Sequence, residues 1–118
     1  MVDPARLSAR LAQLRQMGGP PFVQKMIALF VEHTPPRLAG IRQGLAQGDL
    51  AAVEFAAHSL KSSAGNLGAD RVQELAQEIE SLAAARQGDT LPTLAVELGT
   101  ELDAVIAWLK QQVQESEA

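Results

Sequence analysis

The sequence predicts an all-α protein: an antiparallel up-and-down four-helix bundle with additional N-terminal helical turns. Ala, Leu, Gln and Glu recur throughout the 118 residues and aromatic residues make up only 3%, a composition typical of helices packed by small and medium side chains. Gly and Pro stand where the apolar spacing of threes and fours breaks off. No β-branched alternation or Asn-Gly hairpin signal competes, and short connections make consecutive helices antiparallel.

In the N-terminal half, Asp3 is a predicted N-cap with Pro4 at the first helical position, and this peripheral helix ends at Gly18-Gly19. Pro20 and Pro21 begin a second helix, whose inward face is predicted to hold Phe22, Met26, Leu29 and Phe30. Thr34-Pro35-Pro36 ends or kinks it before a third helix, which carries Leu38, Ile41 and Leu45 and closes at Gly48.

In the C-terminal half, Asp49 caps a helix that ends between Gly65 and Gly68. The next helix runs from about Ala69 to Arg86, stops at Gly88 and points four residues inward, namely Val72, Leu75, Ile79 and Leu82. After the cap candidates Asp89 and Thr90, the last helix has the strongest periodic stripe of the chain, formed by Leu91, Leu94, Leu98, Leu102, Val105, Leu109 and Val113.

The composition narrows both the compartment and the partners. The formal net charge is −4 without a basic stripe, which argues against nucleic acid as a partner, and the chain has no Cys for disulfides or thiolate chemistry. The N-terminus lacks an apolar signal core, and no apolar run reaches membrane-spanning length. We expect one cytoplasmic domain over 1–118, with a core at about 20–114, a peripheral helix at 1–18 and a polar tail at 115–118.

His58 is the most informative residue of the sequence. The core stripe of its helix comprises Leu50, Val53, Ala57, Leu60 and Ala64. His58 lies about 120° from the centre of that stripe and is therefore predicted to be partly exposed. Lys61 lies on the same flank, and Ser62 and Gly65 are small, which would let the surface of another protein approach the imidazole. The alternative is that Ser62 is merely solvated and Gly65 belongs to a fraying last turn.

Other chemistries find little support in the sequence. His33, at a predicted helix end, is interpreted as an ordinary polar residue. No His-Glu-x-x-His or comparable spacing favours a metal site. The serines near His58 lack a Gly-x-Ser-x-Gly elbow, which argues against serine-based hydrolysis.

The run around His58 resembles the signature of histidine-containing phosphotransfer (HPt) domains, His-x-Leu-Lys-(Gly or Ser)-x-x-x-x-x-Gly. The matching residues are His58, Leu60, Lys61, Ser62 and Gly68. The similarity extends through the Phe22 to Phe30 helix, Pro36-Arg37-Leu38, Gln47-Gly48-Asp49 and Glu78-Ile79-Glu80. On these residues the chain is identified as a member of the HPt family.

The resemblance implies a module that accepts a phosphoryl group on His58 Nε2 from one receiver-domain aspartate and passes it to another, without using ATP. It also implies that Lys61 lies near the phosphoryl group and that Glu80 holds the other imidazole nitrogen. The chain would bind no cofactor, since the receiver would supply Mg²⁺. Two residues depart from the commonest pattern: Ser62 replaces Gly, and Glu80 replaces Gln and would favour a protonated imidazole. Lys61 and Glu80 as ordinary surface charges remain the alternative.

The predicted partners are response-regulator receiver domains, with a hybrid histidine kinase as a further candidate. Exposed residues near His58 would frame a small contact, namely Glu54, Phe55, Ser62, Gly65 and Asn66, with Gly68 as a structural turn. Phe55 is either an apolar anchor or tucked into the bundle. We expect a monomer that binds neither nucleic acid nor membrane. The rival hypotheses are a helical adaptor that is never phosphorylated, and the dimerisation and phosphoacceptor domain of a sensor kinase.

Overall fold

The structure, a computed structural model, describes residues 3–117, which fold into four helices. The helices are α1 (Pro4–Gln47), α2 (Leu50–Leu67), α3 (Asp70–Ala84) and α4 (Leu91–Glu117). α1 and α3 each pack against both α2 and α4, so the four helices surround one core. The all-α four-helix bundle predicted from the sequence is confirmed. None of these helices combines the length and the apolar character needed to cross a membrane.

Helix α1 has two arms that meet at a kink. Gly19 has φ 78° and ψ 179°, a non-helical conformation that favours glycine, and it separates residues 4–18 from residues 20–47. Pro20 and Pro21 begin the second arm, where a missing backbone N–H costs little. Asp3 caps the first arm by accepting a hydrogen bond from the Arg6 backbone N–H. The predicted break at Gly18-Gly19 is therefore confirmed.

The first arm contributes to the core, which corrects the prediction that it is peripheral and that the core begins near residue 20. Leu7, Leu11 and Leu14 are all buried, and their spacing of four and three places them on one face. The Arg6 guanidinium lies 2.6 Å from the Asp70 carboxylate at the start of α3. Burial of these three leucines stabilises the packing of the first arm against the bundle.

Of the two outcomes predicted at Thr34-Pro35-Pro36, an end or a kink, the end is wrong, because α1 continues through both prolines. Thr34 is fully buried, and its hydroxyl donates to the Phe30 carbonyl at 2.7 Å. Each proline removes one backbone N–H and crowds the preceding turn. Core packing on both sides of the prolines, by Phe30 and Leu38, keeps the helix continuous despite that cost.

The inward face of the second arm also differs from the predicted one. Val23, Ile27 and Phe30 are buried, whereas Leu29 is 39% exposed. Phe22 and Met26 pack only partly against the core. The buried face is thus rotated by about one residue, or about 100°, from the face inferred from apolar spacing.

The remaining helices largely follow their predicted boundaries. The Asp49 carboxylate caps α2 by accepting from the Ala52 N–H at 3.1 Å. Helix α3 ends at Ala84, before the predicted end at about Arg86, and Arg86 itself takes the left-handed conformation, with φ 59°. In α4 the inward stripe is buried except for Leu94 and Val113, which are partly buried. Residues 115–117, expected to be a polar tail, continue α4, while residues 1, 2 and 118 lie outside the described residues.

Contacts between α2 and α3 show that the two helices are antiparallel and fix their register. His58 contacts Glu80, Lys61 contacts Gln77, and Gly65 lies against Gln73. The numbering rises along α2 as it falls along α3. This register places the central turns of α2 directly beside the central turns of α3.

Candidate functional site

His58 lies midway along α2 on the face turned away from the core. The inward face of the helix is formed by fully buried residues, among them Val53, Ala57, Leu60 and Ala64. The His58 side chain is 60% exposed. The imidazole is therefore accessible from solvent, as its angular position on the helix predicts.

The Glu80 carboxylate of α3 holds one nitrogen of the imidazole. Its Oε2 lies 2.6 Å from His58 Nδ1, and the Glu80 side chain is only 16% exposed. An ionised carboxylate only accepts hydrogen bonds, so Nδ1 carries the hydrogen and donates it. Fully buried Ile79, the preceding residue, anchors this part of α3 in the core. The neutral form of this imidazole has its lone pair on Nε2.

Lys61 engages the other oxygen of the same carboxylate. Its Nζ donates to Glu80 Oε1 at 2.6 Å and to Gln77 Oε1 at 3.1 Å. The Lys61 side chain is 23% exposed, much less than that of His58. The ammonium is thus directed toward α3. That Lys61 also lies near a phosphoryl group stays a prediction.

The environment of Glu80 keeps its carboxyl group ionised. The hydrogen bond from Lys61 is the main cause that lowers the pKa of Glu80 below its ordinary value of 4.5. Burial opposes this shift by raising the pKa, and the hydrogen bond from His58 lowers it further. At neutral pH, Glu80 is an anion shared between the imidazole and the ammonium.

Gln77 belongs to the same cluster and was missed by the sequence reasoning. Its side-chain nitrogen donates to the Ser81 hydroxyl at 3.0 Å, which leaves its oxygen facing Lys61. The signal that would have identified it is helical spacing, because Gln77 precedes Glu80 by three residues and lies on the same face of α3. His58, Lys61, Gln77 and Glu80 are called the α2/α3 cluster below.

The residues predicted to contact a partner fall on both flanks of His58. Ser62 and Asn66 are exposed and Glu54 is half-buried. Phe55 is 66% exposed rather than tucked into the bundle, and the Arg37 guanidinium of α1 lies 5.8 Å from its ring centroid. This cation–π contact covers one side of the ring.

Gly65 and Gly68, near the end of α2, have different surroundings. A Cβ at Gly65 would lie 2.9 Å from Gln73 Nε2, so this glycine faces α3 and gives room to a side chain of the protein itself. Gly68 has φ 73° and ends α2 in the left-handed conformation that favours glycine. Next to it, the Asn66 carbonyl accepts a hydrogen bond from Arg10 Nε at 3.0 Å.

Comparisons with known proteins agree with this architecture. The family model described as Hpt domain matches residues 25–108. The crystal structure of histidine-containing phosphotransfer protein B from Pseudomonas aeruginosa PAO1 is similar, with 25% identity, a TM-score of 0.87 and coverage of 97% of this chain and 95% of that one. No individually curated protein sequence matches the chain at a significant level.

Two further solved structures share the fold. The HPT domain of a sensor hybrid histidine kinase from Shewanella has 24% identity and a TM-score of 0.79, with 92% of each chain covered. The maize histidine-containing phosphotransfer protein ZmHP2 has 23% identity and a TM-score of 0.73, with 95% of this chain and 86% of that chain covered.

Fold and site together define a helical bundle that presents one carboxylate-bound histidine on its side. The family match covers well over half of the chain. The chain belongs to the Hpt family, and its role is phosphotransfer within a phosphorelay.

Proposed function

We propose that this chain accepts a phosphoryl group on His58 Nε2 from a receiver-domain aspartate and passes it to a second receiver. The observation that carries the proposal is the 2.6 Å contact between His58 Nδ1 and Glu80 on an imidazole that is 60% exposed. The contact fixes the hydrogen on Nδ1, so the nucleophilic nitrogen of the neutral ring is Nε2.

The transfer step follows from this geometry. The Nε2 lone pair attacks the phosphorus of the receiver's aspartyl phosphate, so the Nε2–P bond forms. The P–O bond to the aspartate breaks, and the aspartate leaves as a carboxylate. Positive charge develops on the imidazole ring as the new bond forms, and the Glu80 carboxylate beside Nδ1 stabilises it. The same steps in reverse deliver the phosphoryl group to the second receiver.

The receiver supplies the rest of the machinery in this proposal. Phosphoryl transfer depends mainly on positioning and on neutralising the charge of the transferred group. The receiver would contribute the aspartate and Mg²⁺, and the present chain would contribute the nucleophile. In this proposal the chain is a phosphotransfer intermediate without ATP-dependent kinase activity of its own. We further propose that it acts as a monomer in the cytoplasm.

We place the receiver on the α1 side of His58. Phe55, Ser62 and Asn66 are exposed there, and a shallow depression between α1 and α2 is lined by Phe55 and Arg37 among others. On the opposite side, Gly65 is covered by the side chain of Gln73. A relay needs fast release, so the interface should bury about 1,200 Å² or less in total.

The test is phosphotransfer from a phosphorylated receiver domain, with Mg²⁺ present, to the wild type and to His58→Ala. His33→Ala is the matched control because it removes the other exposed histidine. The proposal expects an acid-labile, base-stable label on the wild type and on His33→Ala, and none on His58→Ala. A wild type that binds receivers from its own organism and is never labelled would instead be an adaptor.

The size of the protein in solution separates the remaining rival. The dimerisation and phosphoacceptor domain of a sensor kinase is an obligate two-chain bundle, whereas the present fold buries its core within one chain. Light scattering should give the mass of a monomer. An obligate dimer would contradict this part of the proposal.

A further inference from the structure

We infer that Lys61 and Gln77 are positioning residues that act on His58 through the Glu80 carboxylate, and that the main effect of Lys61 on transfer does not come from contact with the phosphoryl group. The inference rests on the proposed function, because it concerns how the nucleophile is prepared. It assigns a role to Gln77 and a specific mode of action to Lys61.

In the α2/α3 cluster, His58 and Lys61 bind opposite oxygens of the Glu80 carboxylate. Each Glu80 oxygen has one donor at 2.6 Å: Oε2 receives the imidazole Nδ1–H and Oε1 receives the Lys61 ammonium. The ammonium therefore fixes the orientation of the carboxylate and keeps Oε2 directed at Nδ1. Gln77 accepts from the same ammonium at 3.1 Å and holds it against α3.

The cluster contains one carboxylate, Glu80, paired with one ammonium, Lys61. Glu80 is mostly buried, and a buried carboxylate needs a cationic partner. Lys61 provides that cation, so the imidazole can remain neutral while it donates its Nδ1–H. Without Lys61, the imidazole becomes the cation available to Glu80, and a protonated imidazole has no lone pair on Nε2. Lys61 would thus compensate for the presence of Glu, in place of Gln, at position 80.

A double-mutant cycle on transfer rate distinguishes the two modes of action. The four proteins are the wild type, Lys61→Met, Glu80→Gln and the double variant, with Lys110→Met, an exposed lysine of α4, as the matched control. If Lys61 acts through the charge of Glu80, its loss should slow transfer about tenfold in the wild type and only about twofold in Glu80→Gln, a coupling expected of contacting residues. Equal slowing in both backgrounds would show direct contact with the phosphoryl group and overturn the inference.

A spectroscopic measurement tests the same inference without a receiver. In a His33→Ala background His58 is the only histidine of the chain, so its ring nitrogens are identified directly by ¹⁵N NMR. At neutral pH we expect a neutral ring with hydrogen on Nδ1, and a shift toward the doubly protonated ring in Lys61→Met. Lys61→Arg, which keeps the charge, should retain the neutral signature. Unchanged nitrogen shifts in Lys61→Met would contradict the inference.

Gln77→Ala provides an independent variant, since Gln77 is exposed and its loss leaves the core intact. Gln77→Ala should change the ¹⁵N chemical shifts of the His58 ring in the same direction as Lys61→Met, by a smaller amount. A wild type that shows the expected NMR pattern but is never labelled would refute the proposed function alone. If the wild type is labelled but the ring nitrogen shifts are unchanged in Lys61→Met and Gln77→Ala, only the present inference is refuted.

Discussion

The two flanks of His58 differ in how their polar groups are used. On the α3 flank, Lys61, Gln77 and Glu80 bind one another and the imidazole, and the charged pair is largely buried. On the α1 flank, Phe55 and Ser62 are exposed. This difference indicates that the α3 flank prepares the nucleophile and that the α1 flank remains open to a partner.

The largest effect is expected on the α3 flank, from Glu80→Ala. Its loss removes the acceptor for Nδ1–H and the anion beside the developing positive charge, so transfer to His58 should slow about 100-fold. Glu80→Gln should be milder, because an amide oxygen still accepts from Nδ1. The measurement is the single-turnover rate of label transfer from a phosphorylated receiver. A rate for Glu80→Ala close to that of the wild type would show that the α3 flank does not contribute to phosphoryl transfer.

A smaller effect is expected on the α1 flank, from Phe55→Ala. If Phe55 is an anchor for the receiver, its truncation should weaken binding about tenfold, as for an aromatic residue central to an interface. Because Phe55 is 66% exposed, the free energy of unfolding should change by less than about 0.5 kcal/mol. Calorimetric titration and thermal unfolding measure the two quantities.

Val96→Ala on α4 is the matched control for Phe55→Ala, because Val96 is 68% exposed and lies on another helix. Binding should be unchanged in this variant. Equal affinities for Phe55→Ala and the wild type would mean that the receiver docks elsewhere. The α1 flank would then have no role in binding the partner.

The sequence predicted the features that depend on local chemistry. The turn glycines Gly19 and Gly48, the cap Asp49 and the exposure of His58 each follow from one residue type or one angular position. The partnership between Glu80 and His58 came from the family resemblance, because spacing within a sequence does not give the register between two helices. The contact between Gln77 and Lys61 likewise depends on the register between α2 and α3.

The predictions that the structure contradicts are those in which tertiary packing outweighs the local conformational preference of a residue. The rule that proline ends a helix failed at Pro35-Pro36, where the buried neighbours Phe30 and Leu38 keep the helix continuous. The first arm of α1 was predicted to be peripheral, although Leu7, Leu11 and Leu14 have the spacing of one apolar helix face and are buried. At Pro35-Pro36 the buried side chains on both sides therefore outweigh the helix-breaking preference of the two prolines.

The smallest predicted effect is on stability and again concerns the α3 flank. The pKa of Glu80 is lowered in the folded chain, mainly by the hydrogen bond from Lys61, below the ordinary value of 4.5. A carboxyl group with a lowered folded-state pKa stabilises the fold above its unfolded pKa, and this contribution disappears as pH falls through the folded value. Glu80→Gln should therefore lower the free energy of unfolding near pH 5, and the difference from the wild type should shrink as the solution is acidified below that.

Urea unfolding of the wild type and Glu80→Gln across this pH range measures the difference. Glu78→Gln is the matched control, because Glu78 is an exposed glutamate two residues away on the same helix, and its curve should follow that of the wild type at every pH. A gap between the wild type and Glu80→Gln that persisted at the lowest pH would mean that the variant perturbs packing rather than charge. A gap that closes with acid would show that the ion pair which orients His58 also holds α2 against α3, so that one contact serves both the chemistry and the fold.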